Sequence, residues 1–553
     1  GYAFFYLLTH TPEIVITQLG TMTLTIRERS QKVADCIKRN AKQGIESIAT
    51  TLGISKSSVH RHQQAIARRH QYPESDLWET AAGTAWLLRL VVGVIYHFGI
   101  KHGVGAESLS AFFKAVHLDT HVGSSASTLR HLKHRLYEAI VAYESAQAEQ
   151  CQPVNKPGIC LGGDETFFGL PILVLVELAS GFIFTEVECE NRRYDTWLKQ
   201  TETWWHQTQW QCHFMVSDGA RALVKLALSG LGTVSVADLF HAMRALGRPI
   251  GSALGRQLAQ LDNQVDKLQS QLDQTTDKAK QQTLNSQLES LTRQHQQLEQ
   301  DQHTYHRALA DISQTVHPFT LDTAQWQFFE ALTAQLAVPL STLSQLARLY
   351  GGDTAQKAIA TFQAQIPHLA TGIHAWWQWV IQALATETQE IDIQNWVLTA
   401  LLPWVYWGQQ ADKTRQPHLK SRYQQAASDA YDLLMAQTMT LQMDDAQRQH
   451  WVQWCQWMCT KYQRTSSAVE GRNGYLSQRH HVNRGFSHQS LKVLTIIHNF
   501  DLKRPDGTTA AQRLFGQPFP DLFEWILSTI DELPMPRRSS KAQIGRASCR
   551  ERV

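Results

Sequence analysis

The spacing of apolar residues changes period along this chain, and each change marks a different kind of element. Between residues 23 and 150 apolar positions recur at helical intervals. Inside that stretch, GIESIATTLGISKSSVHRHQQAIARR predicts a short helix over Ile45–Thr51, a tight turn at Leu52, Gly53 and Ile54, and a second helix capped by Ser55. Gly53 supplies the positive φ that such a turn requires, and the serine side chain accepts from an N–H that the first helical turn leaves unpaired. Ala49, Gly53 and Val59 fall where two crossing helices need close packing, a turn and a core contact. That is the helix-turn-helix pattern, placed at 44–68. Its second helix offers Lys56, Ser57, Ser58, His60 and Arg61 to phosphates and base edges, and Arg68 and Arg69 follow. An ordinary helix pair is the alternative. A weaker candidate of the same type runs from Ala106 to Leu136, with HVGSSASTLRHLKHRL as its basic helix.

Near residue 158 the period shortens. GICLGGDETFF predicts a strand ending in polar residues, ILVLVELASG a buried central strand, and FIFTEVECE a half-exposed one joined to it through a Ser180-Gly181 turn. YDTWLKQTETWWHQT returns to helical spacing, CHFMVSDGA predicts a fourth strand, ARALVKLALSG a helix and VSVADLF a fifth strand, followed by HAMRALG. The order β-β-β-α-β-α-β is the opening of the RNase H fold, in which an antiparallel meander continues into parallel strands crossed by helices. A heptad seam follows. Leu254, Leu258, Leu261, Val265, Leu268 and Leu272 form one run, and Leu284, Leu288, Leu291, His295 and Leu298 repeat it in a shifted register after polar DQTTDKAKQQ. That break and shift predict an antiparallel helical hairpin. Residues 315–465 read as all-helical, with Trp376, Trp377, Trp379, Trp404, Trp407, Trp451, Trp454 and Trp457 expected in the core. Another helix follows Ser466, and order is expected to end near Pro534.

Composition alters this picture in three places. The net charge is only +3, and the last ten residues, IGRASCRERV, hold three arginines against one glutamate. That tail reads like a translated sequencing adapter, and residues 1–21, which precede the first Met, read as non-native or read-through sequence. A nucleic-acid surface must therefore be a local patch rather than a global charge. The eight cysteines form no CxxC pair. Cys455 and Cys459 lack an evident second ligand pair, so buried helix cysteines in a reducing cytoplasm are expected rather than a zinc site or disulfides. Ala81–Ile100 is apolar enough to suggest a membrane span, but it carries Arg89 and His97. A charge at mid-span costs about 3 kcal/mol, so a core helix is expected.

Three acids stand out by placement. Asp164 sits in the first strand beside Gly162 and Gly163, Asp218 ends the fourth strand before a glycine and a helix, and Glu470 lies in SSAVEGRNGYLS. Neighbouring strands are about 4.8 Å apart, so Asp164 and Asp218 can share a metal pair, which a carboxylate on a helix across the strand ends completes. Phosphodiester cleavage calls for this arrangement. Two Mg²⁺ (or Mn²⁺) ions about 4 Å apart activate the attacking oxygen and stabilise the leaving one, held by a few carboxylates and water. Glu165 is the alternative first acid, but alternation points it to the other face. Asp238 reads either as a fourth carboxylate near the metals or as a strand-end residue. His241 is either a contact to DNA or an acid, or a packed histidine. Arg472 and Asn473 offer donors to phosphate oxygens, and Arg479, His480, His481 and Arg484 form a basic run along which a DNA end can pass.

From about residue 158 to 530 the chain resembles the DDE transposases of bacterial insertion sequences, and within them an uncharacterised subgroup labelled transposase. The resemblance is carried by GGDETFF, VSDGARAL, VADLFHAMRALG, SSAVEGRNGYLSQRHHVNRGF and LTIIHNFDLKRPDGTTAAQRLF. In many such families the last acid lies in an S-x-x-x-E-G-x-N pattern with R-G-F or R-G-Y downstream. Here that pattern is Ser466, Glu470, Gly471, Asn473, Arg484, Gly485 and Phe486. Some of those families place Lys soon after the Glu, where this chain has Leu476 and Gln478. The role of Arg472, Arg479 and Arg484 is thereby left open.

The resemblance implies an α/β chain. An N-terminal helical DNA-binding region (22–150) precedes an RNase H-like core with a mixed five-stranded sheet (151–250 and 466–535). An all-α insertion (251–465, hairpin 254–300) interrupts that core, and a tail occupies 536–553. It implies strand cleavage and transfer on double-stranded DNA, at element ends and target, by a homo-oligomer in the bacterial cytoplasm with no membrane association. A nuclease of the same fold that never joins ends, and an inactive DNA-binding relic, remain alternatives. A coiled-coil scaffold accounts for 254–298 but not for the strand-placed acids.

Overall fold

The computed structural model describes residues 26–152, 158–208, 210–483 and 485–536. The expectations for residues 1–21, for the 544–553 tail and for Arg484 fall outside them. The chain divides into two compact units. The described parts of the first are 26–100, 104–135 and 527–536, and the second comprises 101–103 with 136–526. Residues 527–536 belong with the N-terminal helices because their backbone is bonded there. Gly123 N–H donates to Pro534 O at 2.6 Å and Arg135 Nη1 to Glu532 O at 3.4 Å.

The first unit is helical. Helices α1 (Ile26–Arg39), α2 (Ile45–Leu52) and α3 (Lys56–Arg69) enclose a small core of Val33, Ile48, Ala49 and Val59. The turn between α2 and α3 is built as its residues dictate. Gly53 takes φ 63°, and Ser55 Oγ accepts from Ser58 N–H at 3.2 Å. The apolar stretch Ala81–Lys101 is long and apolar enough to cross a membrane by length and composition. Its Leu87, Val91, Val92, Ile95, Tyr96 and Ile100 are nevertheless buried within the protein, which is the expected core helix. Ala106–Ala115 and Ala126–Ala146, the second candidate pair, are helices separated by a short 3-10 turn.

The second unit is built on a five-stranded mixed sheet. Strands β1 (Gly158–Phe167), β2 (Pro171–Glu177) and β3 (Phe182–Glu188) form an antiparallel meander, and β4 (Gln211–Ser217) and β5 (Val234–Ala237) continue it in parallel. The spatial order is β3-β2-β1-β4-β5. Alternation sends successive side chains to opposite faces. Ile159, Leu161, Leu173, Leu175 and Met215 pack with Trp197, Leu223 and Leu226 on one side. Cys160, Val174, Val176, Phe214, Val216 and Val236 join the large helical core on the other. On that second side Gly372 lies where a Cβ would come within 2.7 Å of Val236, so the Gly352–Glu387 helix sits close against β5.

The helical hairpin forms, but it starts earlier than the heptads suggest. A single helix runs Leu239–Gln274 from the end of β5, and its partner Lys278–Thr315 is capped by Asp277. The first helix is continuous across residue 250 and accommodates Pro249. A proline removes only one ladder bond, and Leu246, Ile250 and Leu254, all buried in the main core, hold the flanking turns in place. Across the hairpin Tyr305 Oη donates to Gly247 O at 2.9 Å. Of the tryptophans expected in the core, Trp376, Trp377, Trp379, Trp407, Trp451 and Trp454 are buried, Trp404 packs at the edge and Trp457 is exposed. Cys455 and Cys459 are fully buried in the Asp445–Lys461 helix, where burial pushes both thiols up. Both thiols pack as core side chains.

Candidate active site

The sheet register places the first two acids. The last pair of the β1–β4 ladder sets Gly162 opposite Val216, and Asp164 and Asp218 lie two residues further along their parallel strands. Alternation puts Asp164 on the face of Cys160, the side carrying the large helical core. Gly162 is required there. A Cβ on it would come within 2.5 Å of Leu178 and 3.2 Å of Val469, so glycine lets the Ser467–Asn483 helix approach β1. That approach brings Glu470, in the first turn of the helix, to the end of β1. Glu165 points the other way and pairs with Arg192.

A clamp fixes the approach. Asp238 caps the Leu239–Gln274 helix, its Oδ1 accepting from Phe240 N–H at 2.7 Å and His241 N–H at 3.2 Å. Its Oδ2 accepts from Ser466 N–H at 2.7 Å and from the Ser466 hydroxyl. Leu239 N–H donates to Arg464 O at 3.0 Å. The residues just before the Glu470 helix are thus stapled to the end of β5, although the whole insertion separates them in sequence. Asp238 is buried, and its hydrogen bonds to His241 and Ser466 hold its carboxyl below the usual carboxylate range despite burial. Of the two readings left open for it, the structure supports the strand-end one, as a helix cap with both oxygens committed.

Asp164, His241 and Glu470 converge. Their ligand atoms all lie within 4.8 Å of one another. His241 Nε2 stands 3.2 Å from Glu470 Oε1, and Nδ1 faces Asp238 Oδ2 at 3.4 Å, an ion-pair contact rather than a formed hydrogen bond. Asn473 Nδ2 donates to Asp164 Oδ2 at 2.9 Å, while its own buried Oδ1 has no partner among the described residues. Burial, and then the charges of Glu470, Glu165 and Asp218, push Asp164 up to about 7, against a hydrogen bond from Glu165 N–H. The facing Asp238 carboxylate, followed by Glu470 and Asp164, raises His241 to about 8 although burial opposes it. Asp218 is exposed beside this cluster and not part of the three-ligand group. Its Oδ1 accepts from Ala220 N–H at 2.8 Å in a turn that Gly219 makes at φ 85°.

Several residues expected to face DNA are occupied elsewhere. Arg472 is buried in a two-pronged ion pair with Glu186 of β3, both bonds 2.6 Å, and Thr495 also donates to Glu186. Arg479 is buried. Asn473 is spent on Asp164. His480 stacks on Phe168 at 4.6 Å, and His481 is exposed. On α3, Lys56, Ser57, His60, Arg61 and Arg68 are exposed, whereas Ser58 and Arg69 are not. Arg69 pairs with Glu79 at 2.8 Å and donates to Ser30 at 2.9 Å. Sequence reasoning missed the Arg464–Ser466 clamp. The signal available was Asp238 standing just before a helix, the usual place of a cap.

Residues 397–542 match the model of a family of unknown function, DUF6399. No curated protein and no solved structure matches the chain. The matched stretch contains Ser466, Glu470 and Asn473 and excludes Asp164, Asp218 and His241, and a family without an assigned activity lends none.

Proposed function

We propose that the chain is a DNA transposase of the DDE kind, in which Asp164, Asp218 and Glu470 hold the divalent cations of an RNase H-like core. The observation that carries this reading is the meeting of Asp164 and Glu470 across the entire helical insertion, with Asp218 one strand away. The strand order agrees with an RNase H-like core. The donor set suits a cation: two carboxylates converge, one of them raised first by burial and then by the charge of the other, and a buried amide oxygen has no donor among the described residues. When bound, two such ions activate the attacking oxygen and stabilise the leaving one. The chain's own side chains supply position. Asn473 pins one oxygen of Asp164, the Asp238–Ser466 clamp fixes the start of the Glu470 helix, and Asp218 stands at the open edge. The α2–α3 pair serves as the helix-turn-helix, with Lys56, Ser57, His60, Arg61 and Arg68 towards duplex DNA and Ser58 and Arg69 withdrawn from it. The protein acts on element ends and target as a homo-oligomer.

The test is Glu470→Gln in purified protein with Mg²⁺ or Mn²⁺ and DNA carrying the element's own ends. Gln keeps the shape but removes the anionic ligand. A ligand worth several kcal/mol in the transition state implies that cleavage and joining fall by about a hundredfold or more, with DNA binding retained. Equal activity in the variant overturns the reading. Wild type that cuts but never joins is a nuclease, and wild type that binds but never cuts is a relic.

A further inference from the structure

We propose that His241 is itself a ligand of the cation, through Nε2, and that the site therefore takes Mn²⁺ in preference to Mg²⁺. This rests on the reading that Asp164 and Glu470 hold a divalent cation, and it names which one. Three observations carry it.

The first is distance. A ring nitrogen of His241 and one oxygen of each acid lie within 4.8 Å of one another, and Nε2 stands 3.2 Å from Glu470 Oε1, so that one ion can touch all three residues. The second is orientation. A histidine that binds a metal through one ring nitrogen almost always presents the other N–H to a carboxylate or carbonyl, which fixes the tautomer and the ring plane. Nδ1 of His241 faces Asp238 Oδ2 at 3.4 Å. The third is rigidity. Asp238 is held by Phe240 N–H, His241 N–H, Ser466 N–H and the Ser466 hydroxyl. The carboxylate that orients the ring is therefore fixed before any ion arrives. The same clamp sets Glu470, so one device positions two ligands from distant parts of the chain. It also explains why Asp238, though close, is the orienting group and not a ligand.

The donor set then decides the ion. Mg²⁺ demands near-ideal octahedral geometry and takes oxygen ligands, keeping several waters. Imidazole suits later, softer divalent ions, and among the two ions expected for this chemistry it favours Mn²⁺. Two carboxylates with one imidazole form a mixed site that a pure carboxylate set is not.

The experiment uses the full chain without DNA. Free Mn²⁺ is titrated by its solution EPR signal, with Mg²⁺ as competitor, and the bound ion is examined by pulsed EPR for coupling to a ¹⁴N nucleus. Wild type is expected to show the nitrogen coupling and to bind Mn²⁺ more tightly than Mg²⁺. His241→Asn is expected to abolish the coupling and weaken Mn²⁺ by about tenfold or more, with less effect on Mg²⁺. His480→Asn, which alters a histidine stacked on Phe168 instead, leaves both unchanged. The coupling is read on wild type, so the proposal stays testable even if the variant folds poorly. Mn²⁺ bound with oxygen ligands alone, or Mn²⁺ and Mg²⁺ bound equally by wild type, overturns the role of His241 and leaves the carboxylate site standing. No bound ion of either kind at millimolar concentration overturns both.

Discussion

Helix α3 and the Ser467–Asn483 helix look alike in sequence, each a polar helix with arginines and histidines at short intervals, yet they use their charge in opposite ways. On α3 only the edge that meets α1 and α2 is buried, so Lys56, Arg61 and Arg68 stand in solvent. The Ser467–Asn483 helix lies against β1 and β2, so Arg472 turns inward to a buried Glu186 and Arg479 is buried. A basic run thus gives no DNA surface until the packing of its helix is known. Arg68 and Arg69 repeat the lesson one residue apart, the first exposed and the second paired with Glu79.

The sharpest way to break this contrast is Arg472→Met. Removing one partner of a buried ion pair strands the other charge, so the variant is expected to lose about 3–5 kcal/mol in urea unfolding. The double variant Arg472→Met, Glu186→Leu is expected to recover much of that loss. A loss under about 1 kcal/mol would mean that Arg472 behaves as a surface charge after all.

A smaller effect comes from two half-buried histidines in the same unit. Burial holds His213, stacked on Trp379, down to about 4, and burial with the nearby Arg472 charge does the same to His498. Their pKa is lower folded than unfolded, so between about 4 and 6.5 the unfolded chain binds more protons and stability falls as pH drops. From pH 6.5 to 5.5 each histidine is expected to cost about 1 kcal/mol. His213→Gln and His498→Gln should each flatten that stretch of the stability profile, and a profile that keeps its slope in both variants would place the titration elsewhere.

The smallest effect separates the two arginines of α3. Lys56→Gln, Arg61→Gln and Arg68→Gln together are expected to reduce the salt slope of duplex binding by up to about 0.9 for each phosphate no longer neutralised. Arg69→Gln should leave the slope alone and lower the melting temperature instead. If Arg69→Gln changes the slope as Arg68→Gln does, exposure is not what selects the DNA-facing residues of this helix.

The local pattern alone determined much of this protein. Short apolar and alternating runs marked the five strands in order, Gly53 and Ser55 the α2–α3 turn, and the leucine heptads the hairpin, because each depends on neighbours a few residues away. It also singled out Asp164 beside two glycines in the first strand, Asp218 at a strand end before a glycine, and Glu470 in its S-x-x-x-E-G-x-N pattern. Tertiary structure decided the rest. The helix after β5 runs on through Pro249, with Leu246, Ile250 and Leu254 buried in the main core around it. Arg472 looked like a surface charge but meets Glu186 of a strand far earlier in the chain, and Arg69 turns to Glu79 and Ser30. His241 joined the acids only because Asp238 ties the end of β5 to Ser466. A sequence shows which groups are able to ionise or bond. Which of them face each other depends on packing between segments hundreds of residues apart, and no local period encodes that.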